Sequence, residues 1–438
     1  MTNRSLIDLD SSGAHPTYLA YHWLDLTGAP IRLDAGRFHF AQPLAPGDSR
    51  EWTVAVETPE TPGGYLLRMT LVQEWVRWFD EPQVGAYFDT KIEVKAEPWW
   101  THETQDQTPY SHIPLLNRAV FKERLSYEGK ARPLMLHVET VNICNLKCII
   151  CPYAEMTRKR ETMGMQLFAK IVSDYCDMGG GDVVLTPQVG DVFLDKLLVP
   201  RIRYLREMPG IRSIGFVTNG VSAHVVSEAD LEYIVNACDR IKISVYGLDE
   251  EEYAAMTLRQ DRYQRMVESV RRMIRVNRRC TLVIAARLLK KRDDAFIQSW
   301  MNTNFGCALP CTVMTSFGNW AGAIDTSVPL PFDGTWLSAE TARSLESGGP
   351  CAYPIYHLKV VVNGDVQFCS CVDYDSNAEN KIGNVNEEPL SAIYNGERAR
   401  RLWREGLSMC KGCTHRLPLS DLPTLVKFFA SPIRGLGV

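Results

Sequence analysis

Along the first hundred residues apolar side chains alternate with polar ones: Leu19, Tyr21 and Trp23, then Trp52, Val54 and Val56, then Tyr65, Leu67, Met69 and Leu71. A period of two places alternate side chains on one face, which predicts strands with one buried side. Turn chemistry at Thr27-Gly28, Pro46-Gly47 and Pro62-Gly63-Gly64 separates these runs at short spacings. An immunoglobulin-like β-sandwich is therefore expected within residues 1–100. The stretch KAEPWWTHETQDQTPYSHIP follows neither period, and residues 101–132 read as a linker.

From residue 133 the rhythm changes. Six short apolar runs, MLHVET, DVVLTP, SIGFVT, RIKISV, TLVIAA and CTVMTS, alternate with helical patterns or loops. In one helical stretch Met165, Phe168, Val172 and Tyr175 recur at spacings that give a single apolar face. Repeated βα units make parallel strands, so the class is α/β. Six units fall short of a closed eight-stranded barrel. A partial (β/α)6 barrel over 133–330 is expected, with an open doubly wound sheet as the alternative. In both, chemistry collects at the C-terminal ends of the strands. The last segment, 331–438, holds strands HLKVVV and DVQFCS around Asn363-Gly364, then a cysteine-bearing tail.

At 438 residues two or three domains are expected. A formal net charge of -4 provides no broad basic field, which argues against binding along a nucleic-acid polymer. The opening MTNRSLIDLDSS lacks the apolar stretch of a signal peptide, and no run approaches the roughly 18 apolar residues of a membrane span. A cytoplasmic location is expected, and the apolar LPTLVKFFASPIRGL near the end is expected to dock on its own domain rather than on a membrane. Thirteen cysteines in such a compartment point to metal or redox chemistry rather than disulfides. None precedes residue 144; three lie in 144–151 and five in 351–413.

Cys144, Cys148 and Cys151 form a C-x3-C-x2-C loop in ETVNICNLKCIICPY, directly after the first βα strand. Three thiolates leave one iron of a four-iron cluster without a protein ligand. Zinc, the alternative, takes paired knuckles completed by further local ligands, and no such ligands stand nearby in the sequence. The loop resembles the signature of the radical S-adenosylmethionine (SAM) superfamily, many of whose members carry an aromatic residue where this chain has Ile150. That resemblance implies an open iron that binds SAM through its amino and carboxylate groups, and a 5′-deoxyadenosyl radical that takes hydrogen from substrate. It also implies roles for residues at the strand ends. Gly190 and Asp191 in LTPQVGDVFLD stand at the place of the motif that meets the SAM amino group. Asn219 lies in a Thr218-Asn219-Gly220 turn, Ser244 stands where a polar side chain reaches the ribose, and Arg287 suits the SAM carboxylate. Turn formation and surface pairing are the plainer readings of these residues.

Cys351, Cys369, Cys410 and Cys413, with Gly364 between the first two, resemble the twitch form of the SPASM C-terminal extension, which carries an auxiliary four-iron cluster. Tetrahedral zinc is the other occupant that four thiolates suit. Cys371 is surplus to that set, Cys307 and Cys311 are a further unassigned pair, and Cys176, Cys238 and Cys280 read as packing cysteines. Enzymes of this arrangement oxidise a sugar or cyclitol alcohol, or invert a carbon by hydrogen donation from a free thiol. Cys371 and Cys311 are the candidate donors.

Trp75, Trp78 and Phe79 could stack on sugar faces, with sandwich core as the plainer reading. The expected activity is epimerisation of a glycan or oligosaccharide, in an oligosaccharide-antibiotic or surface-glycan pathway, and the arrangement resembles carbohydrate epimerases of the avilamycin type. Dehydrogenation and peptide maturation are the alternatives. The expected partners are a small-molecule or oligosaccharide substrate and an electron donor such as flavodoxin or ferredoxin.

Overall fold

The computed structural model describes residues 1–94, 125–347 and 351–418, apart from 13, 14, 41, 53, 55, 60, 62, 129 and 371. The chain divides into two compact units, Met1–Pro98 and Trp99–Val438, with no division at the expected 330/331 boundary.

In the first unit, strands β1 (Thr17–Leu24), β2 (Pro30–Phe38), β3 (Gly63–Gln73), β4 (Arg77–Trp78) and β5 (Tyr87–Val94) form one antiparallel sheet in the order β2-β1-β3-β4, with β5 also on β3. The predicted alternation is real: Tyr21 and Trp23 on β1 meet Tyr65 and Leu67 on β3 in one core. Among the described residues the unit holds this one sheet, and Thr53 and Ala55, in the run expected to supply a facing strand, lie outside them. Isolated bridges pair Thr2 with Ser49 and Leu9 with Leu44. Trp52 and Val56 pack inward, as the alternation predicts. Phe79 joins the core beside Leu71 and Leu44. Trp78 packs on His22 with ring centroids 4.4 Å apart, while Trp75 is 90% exposed at a turn.

The second unit opens with a short ribbon, β6 (Ser126–Tyr127) and β7 (Lys130–Ala131). The six predicted strands follow as β8 (Met135–Val138), β9 (Gly181–Val184), β10 (Ile211–Thr218), β11 (Arg240–Val245), β12 (Thr281–Arg287) and β13 (Cys311–Met314), parallel and in sequential order. Helix α1 (Met165–Asp177) buries Phe168, Val172 and Tyr175, the apolar face read from spacing. Helices α2 (Leu198–Glu207), α3 (Glu228–Ala237), α4 (Glu250–Thr257), α5 (Tyr263–Val276) and α6 (Asp294–Phe305) connect the strands. This is the expected half-barrel.

Two short strands, β14 (Ser316–Phe317) and β15 (Thr335–Trp336), pair beyond it. The C-terminal part then extends the barrel sheet instead of standing apart. Strand β16 (His357–Val360) lies parallel to β8, with His357 opposite Met135 and Val360 opposite Val138. Strand β17 (Asp365–Gln367) returns antiparallel through a turn in which Gly364 has φ +89°, and β18 (Lys381–Asn384) completes nine strands. The predicted hairpin is present, and its first strand is also a wall of the barrel.

Candidate active site

The loop after β8 carries Cys144, Cys148 and Cys151, and backbone bonds fix its shape. Lys147 N–H donates to the Thr257 carbonyl at 3.1 Å and Ile149 N–H to Met256 at 2.9 Å, which ties the loop to the end of α4. Cys144 N–H donates to the Tyr153 hydroxyl at 3.0 Å. Burial pushes the Cys144 thiol up to about 12 and Cys151 to about 11, and drives Cys148 well upward, with Cys151 raising both other thiols further. Thiolates in so dry a place need a compensating cation. Among the described residues no three His, Cys, Asp or Glu side chains converge tightly enough to share a single metal ion. A polynuclear cluster instead takes one thiolate per iron, and this loop offers that arrangement.

Around the loop the strand ends enclose a cavity of about 300 Å3. Gly190, Asn219, Ser244 and Arg287 all line it together with the three cysteines. Gly190 has φ +156°, and a Cβ there would meet Pro187 at 2.9 Å and the Val141 and Ile143 carbonyls at 3.1 Å. Glycine is what allows the segment after β9 to approach the cluster loop. Arg287 donates to the Ser244 hydroxyl at 2.7 Å, so these two polar groups form one unit on adjacent strands. Asn219 donates to Asn145 at 2.8 Å, with the same amide 3.9 Å from the Cys144 sulfur.

Asp191 is placed differently from these four. Its carboxylate is turned into the interior and is not part of the cavity wall. It accepts from the Thr218 hydroxyl and from Asn219 N–H, both at 2.7 Å, and from Phe193 N–H at 3.1 Å. Burial lifts it to about 6 against those three donors. Asp191 therefore clamps the Thr218-Asn219 turn that carries Asn219 to the cluster loop.

Several cavity residues were not singled out from sequence: His137, Gln188, Trp320, His357, Ser370 and His415. Part of the signal was present. His137 and Glu139, Lys242 and Ser244, and His357 and Lys359 are polar pairs two apart on strands otherwise apolar, and that spacing points both members into the barrel. Lys359, brought down to about 8 by burial, donates to the Gln188 side-chain oxygen. Glu139 takes both Arg158 bonds, at 2.6 and 3.0 Å, and accepts from Gln188 N–H at 3.2 Å. His357, lowered to about 3 chiefly by burial, meets the Ser370 hydroxyl at 3.0 Å. His137, Gln188, His357 and Ser370 thus present neutral hydrogen-bonding groups to the cavity, with Lys359 and Glu139 bonded to Gln188. No Asp or Glu lines the cavity among the described residues.

The second cysteine set lies beside this chamber. Cys351, Cys410 and Cys413 are within electrostatic reach of one another, and burial lifts Cys351 to about 12. Cys351 is drawn to the chain's return by a bridge to Pro418, next to Ala352 N–H donating to Leu417 at 2.8 Å. Cys369 follows β17, where the Asn380 side chain accepts from its N–H at 2.6 Å and donates to its carbonyl at 3.2 Å. Cys371 lies outside the described residues; its neighbour Ser370 lines the cavity. Cys311 stands apart from both cysteine sets. It opens β13, three residues before Met314, and Met314 is the residue of that strand that lines the cavity. A strand advances about 3.3 Å per residue, which leaves the Cys311 thiol at the far end from the chemistry. Cys238 and Cys280 are buried packing residues, as expected, and Cys176 is half-buried.

A half-barrel with a buried three-thiol loop at the C-terminal ends of its strands, and a second thiol group alongside, defines a class of iron–sulfur protein. Residues 138–288 match the radical SAM superfamily and residues 351–414 match the iron-sulfur cluster-binding domain called SPASM, so the chain is a radical SAM enzyme with a SPASM domain. Its cofactors are a SAM-binding four-iron cluster, an auxiliary cluster and SAM. Together they supply, when bound, a carbon-centred radical able to take hydrogen from an unactivated C–H bond.

The chain is 29% identical over 126 residues to a GTP 3',8-cyclase of Thermodesulfovibrio yellowstonii, covering 28% of this chain and 38% of that one. It is 28% identical over 125 residues to the GTP 3',8-cyclase of Heliobacterium modesticaldum, covering 28% and 37%. The chain thus spans less than two-fifths of these curated relatives. Among solved structures it is similar to BtrN in complex with AdoMet and 2-DOIA, at 17% identity and TM-score 0.40, covering 64% of this chain and 92% of that one. It is also similar to Streptococcus suis SuiB bound to S-adenosylmethionine, at 14% identity and TM-score 0.45, covering 65% and 73%. Among the described residues no helix is long and apolar enough to cross a membrane, and the apolar stretch 422–436 lies outside them.

Proposed function

We propose that the enzyme takes a hydrogen atom from a carbon of a neutral, polyhydroxylated, sugar-like substrate and that the Cys371 thiol returns one from the opposite face, inverting the centre. The observation that carries this reading is the cavity floor. His137, Gln188, His357 and Ser370 offer neutral donors and acceptors, and no carboxylate lines the cavity among the described residues; the cations beside it are Arg287, bonded to Ser244, and the Lys359 amine, bonded to Gln188. Such a wall suits hydroxyl groups. The donor assignment rests on elimination: Cys144, Cys148 and Cys151 are cluster ligands, Cys311 opens its strand at the far end, and Cys371 adjoins the cavity-lining Ser370. A thiol used in this way is restored by one electron and a solvent proton, the electron coming from a donor such as flavodoxin or ferredoxin.

Oxidation of an alcohol to a ketone is the second reading, favoured by one observation: His415, two residues beyond Cys413, lines the same cavity. The auxiliary site therefore adjoins the substrate chamber, as an electron acceptor would.

Anaerobic turnover in D2O with a panel of hexosides separates the two. A thiol exchanges its proton with solvent, so epimerisation places deuterium at the inverted carbon, whereas a ketone product carries none from a thiol. Cys371→Ala is expected to lose the epimer while still consuming SAM, and Cys311→Ala to leave the product unchanged. Full epimer formation by Cys371→Ala would end the donor assignment.

A further inference from the structure

Trp320 lies 170 positions from the cluster loop in sequence, yet its indole N–H donates to the Ile150 carbonyl at 2.9 Å. Ile150 stands between Cys148 and Cys151, and its side chain and the Trp320 ring both line the cavity. The other side of the indole meets His415, with ring centroids 6.0 Å apart. His415 belongs to the segment that carries Cys410 and Cys413, and Cys413 N–H donates to the Cys410 carbonyl at 3.3 Å. That segment is packed closely against the chain leading to Trp320: a Cβ added at Gly318 would meet the Thr414 hydroxyl oxygen at 2.5 Å. Trp320 and Ala321 are held at φ +52° and +54°, a left-handed conformation that L residues keep only where their surroundings fix it.

One side chain thus touches the SAM-cluster loop and the auxiliary-cluster segment at once. We propose that Trp320 is a positioning residue that fixes the seat of the SAM-cluster loop and makes it depend on the auxiliary-cluster segment through His415. The mechanical path is short. A carbonyl between two cluster cysteines is held by the indole N–H, and the indole is held by a ring two residues from an auxiliary ligand. Assembly of the auxiliary cluster fixes Cys410 and Cys413, hence His415, hence the indole, hence the peptide at Ile150. The inference rests on the cofactor assignment and is independent of the substrate reading, so its test uses SAM alone.

The experiment compares anaerobically reconstituted wild type, Trp320→Phe, and Cys410→Ala/Cys413→Ala. It reads iron content, the EPR spectrum of the reduced SAM cluster with and without SAM, and the KM for SAM in substrate-free cleavage to 5′-deoxyadenosine. Trp320→Phe keeps an aromatic ring and removes the pyrrole half of the indole with its N–H. It is expected to retain about eight irons per chain, the number four plus four requires. Its KM for SAM should rise about three- to tenfold, the effect of one lost hydrogen bond, and the SAM-induced change in the EPR spectrum should be smaller. The double cysteine variant should show the same change in KM, and the triple variant Trp320→Phe/Cys410→Ala/Cys413→Ala no further change, because both routes act through one contact.

If Trp320→Phe fails to load iron, His415→Ala and His415→Phe read the contact from its other side: the alanine variant should show the raised KM and the phenylalanine variant should restore it. Unchanged KM and EPR spectrum in an iron-replete Trp320→Phe enzyme overturn the proposal. Additive effects in the triple variant, or no difference between the two His415 variants, overturn the coupling.

Discussion

Replacing any one of Cys144, Cys148 and Cys151 with alanine is expected to abolish SAM cleavage while leaving the chain folded. Iron per chain should fall from about eight to about four, and 5′-deoxyadenosine formation by more than about a thousandfold, since no protein group can substitute for an open iron at the cavity. The argument lies in the loop's surroundings. Its backbone is held by Thr257, Met256 and Tyr153, not by the thiols, so the loop does not need the metal to keep its path. The thiols themselves are so dry that burial favours their protonated forms, and a lost ligand is not replaced by water at the surface. Cys413→Ala should behave differently, losing the auxiliary iron while the spectrum of the SAM cluster persists. Cys238→Ala, in the packed core, should lose neither. The checks are anaerobic iron and sulfide determination, EPR of the reduced protein, and chromatographic measurement of 5′-deoxyadenosine. A Cys144→Ala protein with full iron and wild-type SAM cleavage would remove the assignment of this loop.

What the sequence disclosed and what it withheld divide along one line, the range of the interaction involved. The six barrel strands were legible because each is a short apolar run bounded by polar turns, and the cluster loop because its ligands lie within eight residues. Asp191 was read as pointing to the cofactor, since nothing local shows that Thr218 and Asn219, 27 and 28 positions away, converge on it. Lys359 reaches Gln188 across 171 positions and Trp320 reaches Ile150 across 170, pairings that no period reveals. The alternation at Trp52, Val54 and Val56 was legible for the same reason as the barrel strands, and Trp52 and Val56 do pack inward. Cys311 could have been set aside from sequence alone. It begins the run CTVM, and in an α/β half-barrel chemistry belongs where a strand ends.

The largest effect on stability is expected from Arg201→Met. Arg201 is fully buried on α2, an unusual place for a guanidinium. Its Nε donates to the Asp195 carboxylate at 2.7 Å, its Nη2 donates to the Met163 carbonyl, and its guanidinium carbon lies 4.9 Å from the Phe168 ring centre. Asp195 is equally buried and also accepts from Leu197 N–H at 2.9 Å. The pair thus joins α2, the start of α1 and the segment that runs on from Gly190 and Asp191 to the cavity. Methionine fills most of the space and removes the charge, which leaves Asp195 buried without a counter-ion and the Met163 carbonyl without its donor. Breaking one side of a buried pair costs about 3–5 kcal/mol, against about 1 kcal/mol for an average substitution. The double variant Arg201→Met/Asp195→Leu removes both charges and should recover most of that loss, because the desolvation of two ions disappears with their attraction. Urea unfolding of the iron-free protein, with the midpoint shift converted through a common slope, measures both variants. The outcome that would sink the argument is a single variant within about 1 kcal/mol of wild type, a margin that only a solvated or relaxed Asp195 could produce. A double variant no better than the single would instead place the loss in the shape of the side chain, in its contacts with Phe168 and Met163, and not in the stranded charge.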